Sequence, residues 1–465
     1  MSGLFASLHH TTQALGAHSR AIEVAGKNLA NVNNPAYARQ RVQYGDRGMV
    51  QTPQGAESLG LEVRAIQQLR DTLLDKQVVR EIALKSSFET EQRNYQRAQA
   101  ALGQSIDRTD SGTSGHGIAA ALDDFFNAFQ SLAARPTDAG ERQILLQRAG
   151  ILSDRLHLVD GRLSQVQTDI DAGIADNVDD ANGLLSSIAE LNRQIGRFEA
   201  NTPGGAGDLR DQRQAQIEKL AAILPAEARE DASGQVQIVV KDATNADIVL
   251  VNLAAVNGTV AFTGTGLTAG TPATAVALSS GSINGALAAR DGTVQALRSN
   301  LDLLARQLVT SVNAAYNPTT LTGDFFAAGG TTAATIALES GLTAATLKAS
   351  DGGPAGDNTI ANAVAQLASR KFDTGSGDDI DGTFSQFFST TVSDLGQALS
   401  SANARVDDQT NIERLVRQQR EGVSSVSLDE EMSDLVRFQR AFQASSRVFT
   451  VIDDLLDTVV NRLGR

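Results

Sequence analysis

Apolar residues near the start of the chain recur every seven positions: Leu8, Leu15, Ile22 and Leu29, with Leu4, Phe5, Ala25 and Val32 beside them. That spacing predicts a helix over 4–32 that packs along a partner helix. It stops at Asn31-Val32-Asn33-Asn34-Pro35, a run of turn formers and a helix breaker. A second stripe lies at the other end, at Leu428, Leu435, Phe442, Phe449, Leu456 and Leu463, with Phe438, Ile452 and Val459 at the +3 positions. Ser427, with Glu430 three residues on, reads as a capping box that opens this helix. A helix over 428–463 would be about 54 Å long at ~1.5 Å per residue. Neither stripe has a covering segment beside it in sequence. The two ends therefore cover each other, as a two-helix coiled coil.

Between them the pattern alternates. A strand-like piece at 41–66 has Leu59, Leu61 and Val63 in alternation. Helix follows over 67–102, on Leu74, Phe88, Tyr95 and Leu102, then a loop at 107–117 and a helix at 118–133 carrying Phe125, Phe126 and Phe129. A very long helix over 141–200 keeps the seven-residue phase through Leu156, Leu163, Ile170, Leu184, Leu191 and Phe198, with polar Asn177 in the seam to fix register. Residues 201–207 break it, and a shorter helix runs to Leu224-Pro225. Val236, Ile238 and Val240 alternate at the start of a strand-and-turn patch. From 282 helix resumes on Val294, Leu297, Leu301, Leu304 and Leu308. A second patch rich in Gly, Thr and Asp occupies 318–385, and helix returns over 386–419.

The fold class is thus mainly α with inserted β-rich domains. The layout is concentric: a terminal coiled-coil domain of 1–60 with 421–465; a long-helix bundle of 61–233, 281–317 and 386–420; a β-rich insertion at 234–280; and an irregular, β-rich one at 318–385.

Composition narrows the functions. A net charge of −14 leaves no basic field for nucleic acid. There is no Cys, hence no disulfide framework, thiolate metal site or cysteine nucleophile. There is no Trp and only 4 % aromatic residues, so the cores must be built mostly from Ala, Leu, Val and Ile. The first residues lack the unbroken apolar core of a cleaved secretion signal, and no run of ~18 apolar residues spans a membrane.

Candidate chemistry is sparse. His9, His10, His18, His116 and His157 never take the spacing of a zinc helix. Asp378, Asp379 and Asp381 before Gly382 lack the alternation and the later Glu of a calcium loop. Gly264-Thr265-Gly266-Leu267-Thr268-Ala269-Gly270 is one residue too long for a dinucleotide loop. The chain has no phosphate-binding P-loop and no nucleophile elbow. No catalytic residue, metal or cofactor is expected, and the chain reads as a non-enzyme.

Three stretches carry a family resemblance. Ala21-Ile22-Glu23-Val24-Ala25-Gly26-Lys27-Asn28-Leu29-Ala30-Asn31-Val32-Asn33-Asn34-Pro35-Ala36-Tyr37 resembles the N-terminal signature of flagellar rod, hook and hook-associated proteins. Ser424 to Met432, with Leu435-Val436-Arg437-Phe438-Gln439-Arg440-Ala441-Phe442, resembles the matching C-terminal signature. Leu122 to Phe129 and Asp208-Leu209-Arg210-Asp211-Gln212-Arg213 are similar to the hook-associated members of the first type. Asn34 stands where the signature usually has Thr, and Ala36 where it has Gly. If that position needs a positive φ, Ala36 is strained. The chain is also short for the family, which implies a reduced outer domain.

The resemblance implies a structural subunit of the extracellular flagellum, at the junction of hook and filament, exported by the flagellar type III apparatus without a cleaved signal. It implies a ring of copies, contacts with hook protein and with the third hook-associated protein, and a dedicated export chaperone on the C-terminal region. It makes Leu8, Leu15, Ile22, Asn28, Leu29, Asn31, Asn33, Pro35, Tyr37, Leu435, Phe438, Phe442, Phe449, Ile452, Leu456 and Val459 an assembly interface. Two other readings stand beside it: another axial protein, such as hook protein or the third hook-associated protein, or a secreted coiled-coil binding protein with a variable β head.

Overall fold

The computed structural model describes residues 2–34, 36–46, 48–52, 55–58, 60–103, 117–200, 204–231, 233–318, 323–354 and 356–459. In chain order the elements begin with α1 (Ser2–Ala30), β1 (Gln40–Asp46), β2 (Met49–Thr52), β3 (Gly55–Ser58), β4 (Leu61–Gln68) and α2 (Thr72–Leu102). Then come α3 (Ile118–Ala134), α4 (Ala139–Glu199) and α5 (Gly207–Ile223). Seven short strands follow: β5 (Glu227–Glu230), β6 (Val236–Lys241), β7 (Asp247–Asn252), β8 (Ala255–Val256), β9 (Val260–Phe262), β10 (Leu267–Ala269) and β11 (Thr274–Ala275). The chain then forms α6 (Ser282–Ala288), a π-helical turn (Ala289–Val294), α7 (Gln295–Tyr316), α8 (Thr359–Gln366), α9 (Phe384–Ser424) and α10 (Leu428–Asp457). These elements fall into two compact units, one of 1–86, 177–281 and 409–465, the other of 87–176 and 282–408.

In the first unit α1 packs along α10. Asn28, near the end of α1, meets Glu431, near the start of α10. Phe438, two turns further along α10, packs against Ala21 and Val24, earlier in α1. The two helices are therefore antiparallel. The face of α1 that is fully buried is built from small residues: Ala17, Ala21, Val24 and Ala25, with Asn28 at its end. Their short side chains let β1 and β4 approach, and Val42, Val63 and Ile66 close a small apolar cluster there. Leu8, Leu15, Ile22 and Leu29 lie on a neighbouring stripe and are only half-buried. The seven-residue repeat thus marks a helix correctly but not its most covered face.

β1 pairs antiparallel with β4, and β2 with β3, as two separate two-stranded sheets, and the β1 strand bulges between Gln43 and Tyr44. The later strands form two antiparallel meanders, β5-β6-β7-β8 and β9-β10-β11. Val236, Ile238 and Val240 face inward as their alternation requires. Val239 is buried too, because a bulge between Ile238 and Val239 breaks the period of two.

α4 follows the predicted phase only over its first half. Leu145, Ala149, Leu152, Leu156, Val159 and Leu163 are buried at alternating four- and three-residue steps. From Val166 the steps are four, four and four, through Ile170 and Ile174 to Val178. This stutter moves the stripe on by one residue. Leu185, Asn192 and Glu199 are therefore buried where Leu184, Leu191 and Phe198 were expected, and Phe198 is left 66 % exposed. Asn177 is only half-buried. The polar residue that fixes α4 is Asn192, fully buried, whose amide donates to the Val236 and Leu253 carbonyls and whose oxygen accepts from Val236 N–H and Arg213.

The second unit is centred on aromatic rings. Phe125 of α3 meets Phe325 and Phe326, and Phe129 meets Phe325, with centroids 5.3–5.8 Å apart in edge or tilted contacts. Tyr316 and Phe384 extend the cluster. Few aromatics are present, and this core collects many of them. Within 323–385 the described residues form α8 and isolated β-bridges, Phe326 to Leu338 and Phe372 to Gly382, rather than strands. α6 reaches α2 at Gly285, which sits directly against the Ser87 carbonyl. Asp378 and Asp381 accept from the Asp373 and Thr374 backbone, and Asp379 pairs with Arg306. Those carboxylates shape a turn.

Candidate functional site

The residues of the terminal signatures converge where α1 ends and α10 begins. Asn28 is 1 % exposed. Its amide nitrogen donates to the Gln40 carbonyl at 2.9 Å and to the Glu431 carboxylate at 3.0 Å. Its oxygen accepts from the Tyr37 hydroxyl at 2.8 Å and from Gln40 N–H at 3.0 Å. All four hydrogen-bonding places of the side chain are filled. One residue so joins the first helix, the turn after it, the first strand and the last helix.

Arg39 makes the same connection by charge. Its guanidinium donates to Glu430 at 2.6 Å and pairs with Glu431 at 2.7 Å. Glu430 therefore faces Arg39 and does not complete a capping box. Ser427 occupies the N-cap with extended backbone but makes no side-chain cap bond. The expected capping chemistry gives way to a longer-range ion pair, and Glu431 N–H is satisfied by the Ser427 carbonyl.

A second tier is supplied by α5. Asp211 accepts from Ala38 N–H, Gln68 and Arg70, while Asp208 accepts from Gln40. Arg70 also pairs with Asp75, which lies 3.6 Å from Arg420 of α9. Arg210 holds Glu199 and Glu230, and Arg213 donates to Asn192 and the Gly234 carbonyl. Every charged residue of the 208–213 motif thus anchors another segment, Arg210 and Arg213 both reaching α4. Burial raises the pKa of Asp75 and Asp211 despite the nearby Arg70, and pulls Arg213 down to about 10. Tyr37 is held neutral far above the ordinary tyrosine range by burial and by the carboxylates of Asp208, Asp211 and Glu431. Buried ion pairs of this kind add little net stability but specify which segments meet.

The other predicted residues are placed as follows. Asn31 and Asn34 close the turn locally: Asn31 donates to the Lys27 carbonyl, and Asn34 accepts from Ala36 N–H. Asn33 is exposed. Pro35 lies outside the described residues. Leu435, Phe438, Phe449, Ile452 and Val459 are half-buried and Leu456 buried, whereas Phe442 is 36 % exposed. Sequence reasoning missed Arg39, Gln40 and Glu431. An acid in the first turn of a helix reads as a solvated partner of the helix dipole, and only its burial shows otherwise.

Alongside this polar node α10 keeps an uncovered apolar surface. Leu428, Met432, Val436, Val448, Val451 and Leu455 are 41–58 % exposed, as is Phe5 of α1 at 55 %. Among the described residues no group of His, Asp and Glu could hold a metal, and no helix is long and apolar enough to cross a membrane. Most of the node's polar groups are spent on one another, and they fasten α1 to α10.

A family model described as the flagellar hook-associated protein FlgK helical domain matches residues 103–326. A second, the C-terminal model of flagellar basal body rod FlgEFG proteins, matches 417–463. Flagellar hook-associated protein 1 of Bacillus subtilis is 26 % identical over 100 % of this chain and 99 % of its own length. Along its whole length the chain is similar to the flagellar hook-associated protein 1 family. The Salmonella typhimurium and Escherichia coli members are each 22 % identical, over 98 % of this chain and 99 % of their own. The flagellar hook junction protein FlgK of Burkholderia pseudomallei has a similar fold, with a TM-score of 0.63 over 75 % of this chain and all of that one, at 14 % identity. The FlgK helical-domain match takes in α3, α4, α5 and α7, and the rod-protein C-terminal match takes in α10.

Proposed function

We propose that the chain is a structural subunit of the bacterial flagellum, standing at the junction of hook and filament and polymerising through its terminal helices. The observation that carries this reading is the α1–α10 pair: fastened at one end by Asn28, Arg39 and Glu431, yet bearing a long apolar surface with nothing over it. Apolar side chains left 41–58 % exposed along one helix gain free energy only when a neighbour covers them. In the assembled tube that neighbour is another subunit. Residues 1–60 with 421–465 then form the inner wall of that tube.

The assembly surface includes Leu8, Leu15, Ile22, Leu29, Leu435, Phe438, Phe442, Phe449, Ile452, Leu456 and Val459, together with Asn28, Asn31, Asn33, Pro35 and Tyr37. The ring it builds contacts hook protein on one side and the third hook-associated protein on the other. The subunit reaches that place through the type III export apparatus without a cleaved signal, its C-terminal region held beforehand by a dedicated chaperone.

Amide hydrogen exchange on the free chain and on assembled flagella tests this. The expected result is fast exchange over 2–34 and 425–459 in the free chain and strong protection of both in the assembly. Equal protection in both states would make the pair an internal stalk and bring forward the secreted binding protein.

A further inference from the structure

The first unit contains a groove of about 880 Å³ between α2, α5 and the start of β5. Its apolar walls come from Leu73, Val79, Ile217, Pro225, Ala226 and Val236, and Leu73 is 62 % exposed. Its inner cations are committed within the fold: Arg70 to Asp75 and Asp211, Arg210 to Glu199 and Glu230, Arg213 to Asn192 and a carbonyl. The convergent free polar groups that orient a small ligand are therefore lacking among the described residues. Two further cations line the groove from exposed positions on α2: Lys76, and Arg80, whose guanidinium also pairs with Glu81 at 2.9 Å.

The complementary shape is on the same chain. Leu428, Met432 and Val436 recur every four residues on α10 and are 52, 44 and 41 % exposed. Asp429 flanks this stripe in a first turn that also carries Glu430 and Glu431. Apolar anchors four residues apart, laid into an apolar groove, are a recurring mode of helix recognition. We propose that the groove of one copy receives the first two turns of α10 from a second copy, with Leu428, Met432 and Val436 against the apolar walls and Asp429 facing Lys76 and Arg80. Groove and stripe are different surfaces, so the contact is heterologous and repeats from copy to copy, closing a ring or continuing as a helix. This inference rests on the reading of the chain as a polymerising subunit.

The chain has no cysteine, so two introduced thiols are the only ones present. A Leu73→Cys, Met432→Cys chain is expressed in cells lacking the native protein, and flagella are isolated and mildly oxidised. A ladder of covalently linked subunits, absent from either single variant, is expected. Flagella that assemble normally but yield only monomers overturn the groove contact while leaving the junction role intact. Normal filaments on cells without any copy of the chain would instead overturn the junction role.

If the paired cysteines block assembly, charge reversal decides. Lys76→Glu with Arg80→Glu should lower subunit association about tenfold or more, and adding Asp429→Lys should recover most of it. Reversal without effect, or without recovery, overturns the contact.

Discussion

The side-chain amide of Asn28 donates to the carboxylate of Glu431 at 3.0 Å, joining residues 403 positions apart in the chain. The bond is fully buried at both ends, with Asn28 1 % and Glu431 3 % exposed. It turns the two terminal signatures into one object.

Asn28→Leu removes all four bonds and leaves the Tyr37 hydroxyl, both Gln40 backbone groups and Glu431 short of a partner. At ~1–3 kcal/mol for each buried group left unsatisfied, the loss should be at least ~3 kcal/mol. In assembled flagella, hydrogen exchange should show it as lost protection confined to α1, β1 and α10. Retained protection there would mean the node is replaceable by packing.

Charge placed on the uncovered surface should separate folding from assembly. Val451→Glu and Leu455→Glu replace side chains 58 and 50 % exposed, so chain stability should stay within ~0.5 kcal/mol of the parent. Filament attachment, scored by electron microscopy of the cells, should fall sharply. Unchanged attachment would remove these residues from the interface.

The pH profile of stability should carry opposing contributions. For Glu199 burial acts to raise the pKa, but hydrogen bonds from Arg210 outweigh it and the net shift is downward. A carboxylate with a lowered folded pKa stabilises the fold above its unfolded value, ~4.3, and that contribution is lost as pH falls through the folded one. Asp75 and Asp211 shift the other way, chiefly by burial, so their contribution is greatest in acid and declines as pH rises through their own unfolded value, ~3.9. Glu199→Gln should therefore flatten the acid limb of a melting-temperature profile, and Asp211→Asn should steepen it. The same slope in both variants would contradict these assignments.

Two glycine substitutions should have opposite signs. A Cβ at Gly285 meets the Ser87 carbonyl, a backbone atom that cannot swing away, so Gly285→Ala should cost ~1–3 kcal/mol. Gly161, inside α4, has open space where its Cβ would stand, and Gly161→Ala should add ~0.4–1 kcal/mol. Thermal unfolding of the two variants reads both.

Helical periodicity was legible because it is local. The seven-residue spacing at Leu8 to Leu29 and at Leu428 to Leu456 correctly placed α1 and α10 and their pairing, and the Phe-rich run at 118–133 correctly placed α3. What was hidden depends on packing at a distance. The covered face of α1 is the one carrying Ala17, Ala21 and Ala25, since small residues admit a β-ribbon that larger ones would hold off, and alanines weigh little in a search for leucines. The stutter at 166–178 was missed because a strict seven-residue template carries its error forward, which is why Phe198 was assigned inward. The 208–213 motif was visible as a resemblance, but nothing in the sequence tells which of its six residues meets Glu199, Gln40 or Asn192.

Because Arg39 finds its carboxylates, and Asn28 one of its two acceptors, in the last helix, the beginning of the chain cannot settle until the end has arrived. A copy cut short before Glu430 leaves a guanidinium without its carboxylates and a buried amide one acceptor short, however complete its middle. The fastening of α1 to α10 thus works as a test of completeness: a truncated subunit cannot present the paired helices, and so has nothing with which to take a place in the tube.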